Sequence, residues 1–78
     1  MSVEKLVRMA NQIAVFFASQ PEAGAEAGVA DHIRSFWNPV MRRQIYAHLD
    51  QGEKGLDPLA LRALSLLRQS DPAARSVM

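Results

Sequence analysis

The residues of this chain that could do chemistry are few: two histidines, nine lysines and arginines, eight aspartates and glutamates, and no cysteine in 78 positions. Without cysteine, thiol nucleophiles, thiolate zinc sites, iron–sulfur ligation and disulfides are excluded together. His32 and His48 fall on different predicted helices. Neither has a second ligand three or four residues away, the spacing by which one helix face grips a metal. His32 borders the apolar side of its helix, and both imidazoles read as core or boundary residues. No serine sits in a nucleophile elbow, no glycine-rich turn leads from a strand into a helix, and no two carboxylates have reason to share a cleft. The expectation is a chain with no catalytic, metal or cofactor-binding residues of its own.

The most distinctive stretch is Arg34 to Tyr46, where Arg34, Arg42 and Arg43 bracket Phe36-Trp37 and the turn at Pro39. Arginine beside tryptophan or tyrosine is the composition of interface hot spots, and Arg42 and Tyr46, four residues apart, could meet in a cation–π contact. Partner binding is therefore expected at Arg34, Trp37, Pro39, Arg42, Arg43 and Tyr46. The bland reading is a solvated basic face with internal pairs such as Asp31 with Arg34. Leu61 and Leu64 join the candidates because Leu59, Ala60, Leu61, Ala63, Leu64, Leu66 and Leu67 wrap over half of one helix. Such a helix needs cover on more than one side, from a partner or from two neighbours within the chain.

Helices must position these groups. Alanine, leucine, arginine, glutamine and glutamate dominate, alternation never persists, and four helices are expected at about 3–19, 26–37, 39–50 and 58–69. Ser2, Asn38 and Asp57 are the predicted N-caps, with Pro39 and Pro58 each at a first helical position. Gln51-Gly52 signals a left-handed C-cap, and Leu56 is placed to staple against Leu61. Pro21 to Gly28 holds two glycines and reads as a loop or a frayed first turn. The fold class is thus all-α, a small bundle forming one domain over 1–70, with 71–78 as a tail having little reason to order. Phe16, Phe17, Phe36 and Trp37 are expected to form the aromatic centre of the core, with an interface role for one of them, Trp37 first, as the alternative.

A domain this small is marginal without help, and with disulfides and thiolate metal sites excluded, a partner is the expected helper. Net charge is only +1, with acids and bases mixed, so no nucleic-acid partner is expected. No apolar run is long enough to span a bilayer, which points to a cytoplasmic chain with no membrane partner.

The phrases Arg8-Met9-Ala10-Asn11-Gln12-Ile13 with Phe16-Phe17, His32-Ile33-Arg34-Ser35-Phe36-Trp37-Asn38-Pro39-Val40-Met41-Arg42, and Leu56-Asp57-Pro58-Leu59 resemble the delta subunit family of cytoplasmic NAD-dependent formate dehydrogenases. The resemblance runs from about Lys5 to Leu67 and departs from the family pattern at Asn38 and Val40, where charged residues are usual. It implies a non-catalytic accessory subunit. The large alpha subunit of such a complex carries a bis-molybdopterin guanine dinucleotide centre and oxidises formate, while other subunits pass electrons through flavin and iron–sulfur centres to NAD. The implied role is to dock on the alpha subunit and stabilise it or help assemble it. The rival readings are a transient assembly factor and a self-associating helical module, the isolated chain then forming a homodimer through its fourth helix.

Overall fold

A computed structural model of the chain describes residues 2–20 and 24–74. Four α-helices follow one another, α1 (Val3–Ala18), α2 (Ala25–Phe36), α3 (Pro39–Asp50) and α4 (Pro58–Ser70), and a 3-10 turn at Pro72–Ala74 ends the described chain. No strand occurs among the described residues. The fold is all-α, as the composition and periodicity predict.

Local chemistry sets the helix starts. Ser2 Oγ accepts from the Lys5 amide at 3.2 Å, Asn38 Oδ1 from the Met41 amide at 2.9 Å, and Asp57 Oδ2 from the Leu59 amide at 3.0 Å. Each satisfies a donor that the first helical turn would otherwise leave unpaired. Asn38 is extended, φ −76° and ψ 166°, as a residue before proline must be, and this turns the chain from α2 into α3. After α3 the left-handed conformation falls on both Gly52, at φ 116°, and Glu53, at φ 55°. The Glu53 amide then reaches back to the His48 carbonyl at 3.1 Å.

α2 begins at Ala25, after a left-handed Gly24, and has no side-chain cap. Pro21 to Ala23, part of the expected loop, lie outside the described residues. Gly28 belongs to the helix and does not fray it. A Cβ on Gly28 would stand 2.6 Å from Phe17 Cδ1, so the bare backbone of α2 is what lets the Phe17 ring lie against it. The weakness of glycine as a helix former is here the condition for close approach.

The core joins one face from every helix: Leu6, Ala10 and Ala14 of α1, Val29, Ala30 and Ile33 of α2, Ile45 and Tyr46 of α3, and Ala60, Ala63, Leu64 and Leu67 of α4, with Trp37 at the α2–α3 corner. The alanines let helix backbones come close. α4 packs most extensively on α2 and also meets α1 and α3. Its wide apolar surface is therefore largely covered within the chain, the sandwiched arrangement that the leucine pattern allowed.

Two expectations are corrected. Phe16 and Phe36 are not core residues but lie 60% and 72% exposed, while Trp37 is buried. The apolar face of α1 is wider than the area its neighbours cover, and Phe16 falls on the uncovered edge. Asp71 is buried and Pro72–Ala74 packs on α3, so the chain stays fixed to the bundle as far as Ala74.

Candidate functional site

Starting from the basic and aromatic corner, the structure divides its residues into two groups. Arg42 extends from the first turn of α3 and donates from Nε to Asp71 Oδ2 at 2.7 Å, while its Nη1 donates to the Trp37 carbonyl. The Tyr46 hydroxyl, one turn further along α3, donates to the same Asp71 oxygen at 2.6 Å. The other Asp71 oxygen accepts from the Ala73 amide at 2.9 Å. The side chains of Arg42 and Asp71 are 13% and 2% exposed, so this is a nearly dry network with its charges matched.

Burial works against the Asp71 charge, but the hydrogen bonds from Tyr46, the Ala73 amide and Arg42 outweigh it and hold the carboxyl below the usual carboxylate range. Burial and the neighbouring Asp71 carboxylate push the Tyr46 hydroxyl the other way, well above its ordinary value. Arg42 and Tyr46 thus meet through Asp71. The cation over the Tyr46 ring is Arg68 of α4, at 5.8 Å, itself held by both oxygens of Asp50 at 2.8 Å.

Trp37, Tyr46 and Leu64 are buried and Arg42 nearly so, and all four hold the chain's own helices together. Arg34 is exposed but paired with Asp31 at 2.6 Å, the internal pair that its spacing suggested. Pro39 and Arg43 are exposed, and Leu61 is partly buried. Arg43 has no acid partner among the described residues. His48 donates from Nε2 to the Lys54 carbonyl at 2.7 Å, since a carbonyl can only accept. Among the described residues no three His, Asp or Glu side chains converge as a metal would need, and no helix is long and apolar enough to cross a membrane.

What sequence reasoning missed lies beside the corner. The α1 and α2 edges and the start of α3 enclose an open apolar groove of about 550 Å³, lined chiefly by Met9, Ile13, Phe16, His32, Phe36 and Met41. The rings along it are in contact. Phe16 and Phe17 pack edge to face at 5.1 Å, Phe17 meets His32 at 6.2 Å, and His32 lies against Phe36 at 4.6 Å. His32 is half-buried, the boundary position its place on the helix suggested, and forms the link in this row. Phe36 being four residues beyond His32 was a readable signal. A histidine and an exposed phenylalanine on one helix face suit a surface that is covered only in a complex.

The groove is mostly apolar, with Gln12 and His32 the polar members of its lining. Its two methionines are flexible and polarisable, which suits them to packing against a foreign apolar surface.

Comparison with known proteins gives one positive finding. A sequence model of the family described as NADH-dependant formate dehydrogenase delta subunit FdsD matches residues 5–64. Nothing matches among the curated proteins or the solved structures.

Proposed function

The chain belongs to the delta subunit family of NADH-dependent formate dehydrogenase, and from that premise we propose that it is a non-catalytic accessory subunit that docks on the alpha subunit of the complex. There it stabilises that subunit or helps it assemble. The observation that carries the reading is the groove, with Phe16 60% and Phe36 72% exposed on a chain of only 78 residues. Burying a phenylalanine contributes roughly 1.5–3 kcal/mol, so a chain that leaves two rings in water on one face has a strong drive to cover them. The exposed members of the basic corner, Arg34, Pro39 and Arg43, remain contact candidates, and Leu61 adds a partly exposed apolar contact on α4. We assign the chain no cofactor: the molybdenum centre implied by the family resides in the alpha subunit, and here there is no cysteine while the two histidines are separately engaged.

The experiment is co-purification of the complex with a tagged copy of this chain, together with formate-dependent reduction of NAD. The wild-type chain is expected to bring down the alpha subunit with activity, and the double substitution Phe16→Ser with Phe36→Ser to lose it. Undiminished recovery with the double variant would remove the groove from the contact. Failure of the wild-type chain to recover any formate dehydrogenase subunit would remove the accessory-subunit reading itself.

A further inference from the structure

The groove has a shape and a polarity that narrow what can fill it. Its α1 wall is Met9, Ile13 and Phe16, spaced by four and three residues, and its α2 wall is His32 and Phe36, spaced by four. Two neighbouring helices, each presenting such a stripe, leave a trough for a third. From Met9 to Phe16 the wall rises about 10 Å, or two turns.

The α1 stripe continues toward the helix start as Lys5, four residues before Met9, and Arg8, four before Gln12 of the same wall. Both are exposed, and neither side chain meets an acid among the described residues, whereas Arg34, Arg42, Arg62 and Arg68 are each paired. The helix turn that leads into the α1 wall therefore carries two exposed cations with Glu4 as its one acid.

Other modes of occupancy fit poorly. The groove walls are helices whose backbone donors and acceptors are used internally, so no edge is offered to an added strand. A second copy meeting it groove to groove would bring a concave surface against a concave surface.

Building on the accessory-subunit reading, we propose that the groove receives an amphipathic helix of the large partner subunit, with an apolar stripe about two turns long and acidic residues at the end that meets Lys5 and Arg8.

The test uses the full chain in cells making the whole complex, with the photo-reactive residue benzoylphenylalanine incorporated at position 36. The crosslink is expected to map to a helical segment of the large subunit that carries acids toward one end. The double reversal Lys5→Glu with Arg8→Glu, at two exposed positions and with helicity checked by circular dichroism, is expected to reduce recovery of the large subunit on the order of ten-fold at low salt. The deficit should shrink as salt rises, and reversing the crosslinked acids to lysine should restore recovery. A crosslink to a non-helical segment or to a second copy overturns the proposal. So does recovery unaffected by the charge reversal. In these cases, if the wild-type chain still recovers the large subunit, the accessory reading stands. Failure of the wild-type chain to recover it removes that reading and this proposal together.

Discussion

The Tyr46 hydroxyl and the Asp71 carboxylate are 2.6 Å apart, so a residue just past the end of α4 is bonded to the middle of α3. Arg42 completes the joint by holding Asp71 and the carbonyl of Trp37 together. The α2–α3 corner and the segment after α4 are therefore one mechanical unit, and the groove floor at Trp37 and Met41 rests on it.

Replacing Asp71 with alanine leaves a nearly buried guanidinium and a buried hydroxyl without their acceptor. The expected loss of stability is about 3 kcal/mol, read from urea unfolding by circular dichroism. Asp71→Asn keeps the shape but not the charge and should fall between the two. A loss under about 0.5 kcal/mol for Asp71→Ala would mean that the network does not hold the corner.

Acid should act on the same joint. Because the folded state depresses the Asp71 pKa, the unfolded chain binds the proton more readily. The contribution of Asp71 is complete above its unfolded value of about 3.9 and is lost as pH falls through the lower folded value. The unfolding midpoint of the wild type should thus drop below about pH 4 more steeply than that of Asp71→Asn. Parallel curves would exclude this residue as the cause.

At Gly28, alanine would gain about 1 kcal/mol of helix propensity on an exposed helix. Here its Cβ would meet the Phe17 ring at 2.6 Å, and the ring must move. A net destabilisation of about 1–3 kcal/mol is expected, with a changed aromatic signal in near-ultraviolet circular dichroism. A stabilised Gly28→Ala variant would show that the close approach does not matter.

Asn11 of α1 donates from Nδ2 to the Gly55 carbonyl at 2.9 Å and accepts the Asp57 amide on Oδ1 at 2.8 Å. Asn11→Ala should cost about 1–2 kcal/mol, and Asn11→Asp should lose the donor half of the clamp. Equal stability of all three proteins by thermal melting would deny the clamp any role.

The substitution Phe36→Ser should be nearly silent in stability, within about 0.5 kcal/mol, because the ring is exposed. Its effect belongs to co-purification, and a variant that unfolds instead would return Phe36 to the core.

The helices were readable because their starts are local: Ser2, Asn38 and Asp57 cap residues two or three positions away, and Pro39 and Pro58 follow at once. The arginine corner was visible as composition, but its use was not. Whether Arg42 faces a partner or its own chain depends on Asp71, 29 residues further on, and the segment that brings Asp71 back reads as a tail of small residues. Phe16 and Phe36 misled for a related reason. Helical periodicity marks a wide apolar face but does not say which of its edges the other helices reach. Asn11 reads as one more polar residue on α1 because its partners lie 44 and 46 positions away.

The Asn11 clamp also supplies a spectroscopic sentinel. The Asp57 amide sits at the N-cap of α4, where a backbone proton ordinarily faces water and exchanges fast, yet here it is donated across the bundle to α1. Its deuterium uptake can proceed only when α1 and the loop before α4 separate. A single resolved nuclear magnetic resonance peak therefore times the opening of that seam.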